Sequence, residues 1–307
     1  LDDLDLNPML IMVDGAKELK LDRLRKRTEV DETLDYQVIN DAERFFKNGE
    51  KIQLSYSVRN TNRTIGARIS SHVVKIFGMH NKLQQDQLTL MLNGSAGQSL
   101  GAFLVPGIKI QLTGEANDYV GKGLSGGLIS IRPSVESPLI AQKNTIIGNT
   151  VLYGATSGKL FASGRAGERF AVRNSGAEVV VEGCGTNGCE YMTGGVAVVL
   201  GDIGANFGAG MTGGMAYLYD PEKAAQKQVN LESLLVSNIT IDYWETQLKS
   251  LIEEHVIETA SIKAIDILEN WDIEKNAFIQ ICPKEMLVHL PFPISDNNEK
   301  AQTRITK

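Results

Sequence analysis

The chain has 307 residues, a formal charge of −6 and 42% hydrophobic residues, enough for a core in one large domain or two smaller ones. The mild acidity argues against nucleic acid, which is bound through a basic face, and no apolar run approaches the roughly 20 residues a membrane-spanning helix needs. Three cysteines, Cys184, Cys189 and Cys282, are too few for a disulfide framework and fit a reducing, cytoplasmic setting.

The acidic start, Leu1-Asp2-Asp3, does not read as a signal peptide. The missing initiator Met has two readings, a disordered or processed terminus and a piece of a longer polypeptide; the second is preferred. Residues 1–48 are read as an acidic, helical lead-in, with a helix over Asp35 to Lys47 that carries Ile39, Ala42, Phe45 and Phe46 on its apolar side. Residues 49–92 are read as a strand-helix cap. Ile52, Leu54, Tyr56 and Val58 alternate with Lys51, Gln53, Ser55 and Ser57, the period of a strand, and Thr64 to Phe77 reads as a helix stopped by Gly78.

Glycine dominates the middle of the chain. Of 30 glycines, 26 lie between Gly94 and Gly214 and none lies beyond. The last glycine of each turn-like segment falls at 107, 127, 158, 176, 195 and 214, in steps of 20, 31, 18, 19 and 19. The long step contains the proline-bearing stretch Arg132 to Lys143, read as an inserted loop. A short β-prone run succeeds each glycine, such as Ile108 to Leu112, Ala177 to Val181 and Val196 to Leu200. In two of them, Ile129/Ile131 and Leu160/Ala162, the apolar phase is shifted by one. Nineteen residues at ~3.3 Å each suffice for one coil of short strands but not for a βαβ unit. The period near 19 therefore predicts a mainly β fold, a right-handed single-stranded parallel β-helix over 93–220, with flanking α-helices covering both ends.

Residues 221–307 are read as a helical extension and tail. Trp244, Leu248, Leu251, Ile252 and Val256 form one helical stripe, and Ile262, Ile265, Leu268 and Trp271 a second; both are expected to face the core.

Several motifs invite a catalytic reading. Gly121 to Gly126, Gly183 to Gly188 and Gly208 to Gly213 all match the dinucleotide fingerprint G-x-G-x-x-G, which requires a helix to open after the turn. Here strands such as Leu128 to Ile131 and Met215 to Leu218 are expected instead, so the matches read as corners. Gly123 to Gly127 matches the nucleophile elbow around Ser125. That motif needs a histidine base, and His72, His80, His255 and His289 are all far in sequence. Ser125 already has a place in the repeat, alongside Ser157, Ser175, Thr193 and Thr212. Cys184 and Cys189 lack the second pair that a zinc site needs and read as buried or free thiols. Asn-x-Ser/Thr triplets such as Asn93-Gly94-Ser95 are read as chance. Lys122, Arg165, Arg169 and Arg173, with Asp118 and Glu168, are read first as a solvated face with local ion pairs. The competing readings are a docking surface and a carbohydrate-cleaving groove.

Longer strings carry a family resemblance. They are Gly94-Ser95-Ala96-Gly97-Gln98-Ser99-Leu100-Gly101, Ala116-Asn117-Asp118-Tyr119-Val120-Gly121-Lys122-Gly123, Gly148 to Thr156, Ala166 to Ala177, Cys189 to Gly195, and Gly201-Asp202-Ile203-Gly204-Ala205-Asn206-Phe207-Gly208. Together they resemble the C-terminal GXGXG-repeat domain of glutamate synthase large subunits, most closely the bacterial NADPH-dependent type. The likeness covers about Gly49 to Asp220 and continues more weakly over Val229 to Lys284. It implies a complete enzyme that makes two glutamates from glutamine, 2-oxoglutarate and NADPH, with an N-terminal amidotransferase domain, an FMN- and iron–sulfur-binding synthase domain, and an NADPH-oxidising small subunit as partner. Neither catalytic domain's motif exists here. No catalytic, cofactor-binding or metal-ligating residue is assigned to this chain, whose expected role is to hold the catalytic domains in position. The alternatives are a β-helix subunit of a redox complex of the formylmethanofuran dehydrogenase type and a stand-alone carbohydrate-active β-helix.

Overall fold

The computed structural model describes residues 5, 7–9, 32–80 and 82–295. Contacts divide the chain between Glu32 and Thr33. Of the first unit, Asp5, a 3-10 turn at Asn7–Met9 and Glu32 are described. Most of the expected lead-in, and the tail beyond residue 295, lie outside the described residues.

The second unit opens with two helices where one was expected. α1 (Leu34–Asp41) and α2 (Glu43–Asn48) are separated at Ala42, and Gly49 ends α2 in the left-handed conformation at φ 69°. Val38, Ala42 and Phe45 are fully buried. β1 (Ile52–Val58) alternates as its sequence does. α3 (Ala67–Phe77) stops at Gly78 and is capped from a distance. The Asp35 carboxylate accepts N–H bonds from Gly66 and Arg68 at 2.8 Å and from Ile69 at 3.3 Å. Those are first-turn donors that a helix cannot satisfy itself.

The glycine region folds into strands β2 (Leu88–Ala96), β3 (Ile108–Ala116), β4 (Ser125–Arg132), β5 (Thr145–Ile147), β6 (Ser157–Ala162), β7 (Arg165–Ala166), β8 (Ser175–Val181), β9 (Thr193–Val199) and β10 (Gly213–Tyr219). β1 to β4, β6 and β8 to β10 pair in parallel, each with the next. The 31-residue step accommodates the insert, from which the chain returns as β5 to pair with β3 and β7.

Register explains the shifted apolar phase. Leu90, Ile110, Ile129, Leu160, Val179, Ala197 and Ala216 lie opposite one another from strand to strand, and all are fully buried. Leu92, Leu112, Ile131, Ala162, Val181, Val199 and Leu218 form the second such column. Slips in register between Ser125 and Leu128 and between Ser175 and Glu178 absorb the unequal steps. Burial of each large aliphatic side chain stabilises by roughly 1.5–3 kcal/mol.

The opposite face of the same sheet carries a second apolar cluster, which begins at Leu128 of β4. Phe161, Val180, Val198 and Tyr217 pack with Trp244, Leu248, Ile252 and Trp271. These belong to α4 (Asp242–Thr259) and α6 (Trp271–Glu274), between which lies α5 (Ile262–Glu269). The C-terminal helices thus flank the sheet by its face rather than by its end. Beyond β10 the ladder continues through β12 (Phe278–Pro283) and β11 (Leu234–Asn238), both antiparallel. A strand satisfies the open hydrogen bonds of an edge, and a helix does not.

Candidate functional site

Two of the three glycine motifs, at Gly121 and Gly208, open in one recurrent corner. Every second residue there is left-handed: Ser99, Gly101 and Phe103; Tyr119, Gly121 and Gly123; Thr150, Leu152 and Gly154; Arg169, Ala171 and Arg173; Asn187, Cys189 and Tyr191; Asn206, Gly208 and Gly210, all with φ between 53° and 73°. Backbone N–H groups of this corner bond from one repeat to the next. Tyr119 donates to the Asn149 carbonyl, Thr150 to Glu168, Gly121 to Leu100 and Leu152 to Val120. These amides are therefore not arrayed to hold a phosphate.

Left-handed geometry alone does not demand glycine here, because twelve of the eighteen residues carry side chains. At five of the six glycines neighbouring side chains do, Gly154 being the exception with nothing within 4 Å. A Cβ on Gly123 would lie 2.6 Å from the Phe103 ring, and one on Gly210 would lie 2.5 Å from the Tyr191 ring. The third glycines, Gly126 and Gly213, press on Pro106 and on the Thr193 backbone at the start of a strand. The middle motif differs. Gly183 lies under the Arg165 guanidinium, and Gly185 and Gly188 meet Glu168 and the Phe207 ring. The three matches are thus two corners of one kind and one of another.

Ser125 donates its hydroxyl to the Leu104 carbonyl at 3.3 Å. Ser175 does the same to Ala155 at 3.1 Å, and between them it is Thr156, not Ser157, that reaches Leu124 at 3.4 Å. The charged set is dispersed. Arg165 pairs with Asp202 and Arg169 with Glu190, both at 3.3 Å. Asp118 accepts from the Asn149 amide, and the Lys122 ammonium sits 5.7 Å from the centre of the Tyr119 ring. Cys184, Cys189 and Cys282 are free and buried. Burial pushes the Cys184 and Cys282 thiols up to about 12. Burial, then the neighbouring Cys184, raises Cys189 well above the thiol range. Such thiols are poor nucleophiles and poor metal ligands.

The densest chemistry is a polar seam that sequence reasoning missed, between the sheet and α4. Lys109 pairs with Glu258 at 2.7 Å, and Lys159 with Glu254 at 2.5 Å and Glu178 at 3.1 Å. Burial pulls the Lys159 ammonium down, but its two carboxylates outweigh that and raise it. At the end of the seam the buried Glu182 Oε1 accepts hydroxyl bonds from Ser163 at 3.0 Å and Ser261 at 2.5 Å. His255 Nε2 stands 3.9 Å from the same oxygen. Burial lowers the His255 pKa, and Glu182 opposes that only in part.

Serine, histidine and glutamate are the residue types of a hydrolytic triad, but the geometry is not that of one. Both serines donate to the carboxylate instead of to the imidazole. His255 Nδ1 faces the Thr259 hydroxyl at 3.5 Å, and Ser261 also caps α5 by accepting from the Ala264 N–H. The cluster ties the sheet to the α4–α5 junction. Its only sequence signal is the i, i+4 spacing of Glu254 with Glu258 and of His255 with Thr259 on one helix. Among the described residues, no group of three or more His, Cys, Asp or Glu is placed to hold a metal ion. Nor is any described helix long and apolar enough to cross a membrane.

A protein-family model described as "GXGXG motif" matches residues 35–284. The chain is 60% identical over 301 residues to the glutamate synthase [NADPH] large chain of Azospirillum brasilense, covering 96% of this chain and 20% of that one. It is 44% identical over 283 residues to the corresponding chain of Bacillus subtilis, covering 92% and 18%. It is 49% identical over 249 residues to the ferredoxin-dependent glutamate synthase of Pyropia yezoensis, covering 81% and 16%. The chain thus spans about a fifth of the length of the curated relatives it matches.

Proposed function

Because the chain belongs to the GXGXG motif family, we propose that it is the C-terminal scaffold domain of a cytoplasmic, NADPH-dependent glutamate synthase large chain. In this reading the rungs of 93–220 close into a right-handed, single-stranded parallel β-helix, 49–92 cap one end, and 221–307 form the helical extension. The 19-residue rungs and the coil-to-coil bonds at the left-handed corner support that closure.

The parent enzyme converts glutamine, 2-oxoglutarate and NADPH into two glutamates, and this domain keeps its amidotransferase and synthase domains in fixed relation. Fixed geometry raises the chance that ammonia released at one site reacts at the other. FMN, the iron–sulfur cluster and NADPH belong elsewhere in the enzyme, NADPH with a small partner subunit. The residues here do not suit these groups: the three thiols are buried and held protonated, and the corner amides bond between coils.

The observation that carries the scaffold role is the use of the glycine motifs. At Gly121, Gly123, Gly208 and Gly210 the space a ligand would need is filled by Leu152, Phe103, Leu234 and Tyr191. The test is a visible absorption spectrum of the purified chain with an assay for glutamate from glutamine, 2-oxoglutarate and NADPH. The expected result is no flavin or cluster band and no turnover. A bound chromophore with turnover would overturn the scaffold role.

A further inference from the structure

The insert is surplus to the stack. Between Gly127 and Gly158 the chain takes 31 residues where its neighbours take 18 to 20, yet β4 ends at Arg132 and β5 begins only at Thr145. The intervening loop holds its apolar side chains outward. Val135 is 88% exposed, Leu139 57% and Ile140 54%. Across from them, at the start of α5, Ile262 is 74% exposed.

All four side chains line one cavity of about 550 Å³, whose charged lining is Arg132 and Lys263 with Glu182 and Asp266. Apolar side chains converging on a shared groove with a polar rim mark an interaction surface, whereas single exposed ones do not. Among the described residues, no carboxylate stands within 4.0 Å of Arg132 or Lys263. The Lys263 ammonium instead lies 5.5 Å from the centre of the Tyr219 ring.

The length of the relatives points to the occupant. The Azospirillum chain matches 96% of this one, through both the stack and the helices, and yet four fifths of its polypeptide lies outside the match. We infer that the groove between the insert and α5 seats an apolar segment, flanked by a carboxylate, from another domain of such a longer polypeptide. This rests on the scaffold reading and deepens it by naming the docking face. The apolar residues of the segment cover Val135, Leu139, Ile140 and Ile262, and its carboxylate meets Lys263 or Arg132. Burial holds the Lys263 ammonium below the usual lysine range against the pull of Glu182 and Asp202, so a carboxylate there would restore it.

The test uses the intact Azospirillum large chain with its matched region replaced by this chain. A photo-cross-linking residue, p-benzoylphenylalanine, is placed in turn at Val135, at Ile262 and at the control position Ile273, which is 73% exposed. Val135 and Ile262 are expected to cross-link to peptides outside this domain. Leu139→Asp with Ile140→Asp should abolish those cross-links without moving the melting temperature of the isolated chain, since both residues face solvent. Cross-links to other domains from Ile273 but from neither groove position would move the seat elsewhere and leave the scaffold role standing. Cross-links confined to this domain from all three positions would defeat both. A cross-link from Val135 to a second copy of the chain would overturn the inference by naming a different occupant.

Discussion

The glycine-rich stack and the helices of the glycine-free extension that flanks it are held by different bonds. In the stack, backbone meets backbone, and the interior columns through Ile110 and Leu112 need only aliphatic bulk. At its corners the closeness of neighbouring repeats excludes side chains at chosen positions. In the extension, helices cross one face of the sheet and are fixed by side chains: Lys109 to Glu258, Lys159 to Glu254, and Glu182 to Ser261. A repeat can be extended rung by rung with little specificity. A helix laid across it needs particular charged and polar partners to set its place.

The largest expected effects are in the stack. At Gly195, φ is 82° and a Cβ would lie 2.3 Å from the Ala177 carbonyl oxygen. Gly195→Val is expected to destabilise by more than about 4 kcal/mol, read by denaturant unfolding. An unchanged midpoint would show that Gly195 is not a strained corner. Next comes the seam, where Glu182→Ala orphans two hydroxyls and should cost about 2–4 kcal/mol. Equal stability would reduce the cluster to filler. Asp35→Ala, which uncaps α3, should cost about 1–2 kcal/mol, with hydrogen exchange rising first at Gly66, Arg68 and Ile69.

A smaller effect separates the regions by pH. His255 is buried and its folded pKa lies below the ordinary histidine value of 6.5. The unfolded chain therefore takes up a proton first, so the stability linked to this group is present above about pH 6.5 and is lost as pH falls from there toward the folded pKa. His255→Gln should flatten the melting-temperature profile in that window. An identical profile would show that His255 does not titrate there. The smallest expected change is at Ser125, whose hydroxyl makes one long bond to a carbonyl. Ser125→Ala should shift stability by about 0.5 kcal/mol or less and, on the proposed function, leave glutamate formation by the complete enzyme nearly intact. A loss of activity without unfolding would reveal a chemical role.

Much of the stack was legible in the sequence, because the glycine spacing is periodic and Ile52 to Val58 alternates cleanly. Legibility failed where local signals were degenerate. Val196 to Leu200 is apolar throughout, so only the register shows that Ala197 and Val199 enter the main core while Val196 and Val198 face the helices. Ser157 does lie opposite Ser125 in the register, as the repeat implies, but the hydroxyl that bonds the Leu124 carbonyl belongs to the adjacent Thr156. It failed also where partners are remote: Asp35 caps a helix some thirty residues away, and Glu182 meets Ser261 across 79 residues. The antiparallel β12 gave no sign that it, and not a helix, would close the ladder.

In the G-x-G motifs, Gly123 and Gly210 yield space to the neighbouring Phe103 and Tyr191 rings. A double-mutant cycle on Gly123 and Phe103, read as unfolding free energy, puts this to the sharpest test. Alone, Gly123→Ala should cost about 3 kcal/mol or more, from overpacking plus left-handed strain. In a Phe103→Ala background the ring is gone, and the cost should fall to about 1 kcal/mol, the strain that Arg173 and Tyr191 already bear at the same corner. An equal cost in both backgrounds would contradict the crowding by the ring and return Gly123 to the search for a bound group.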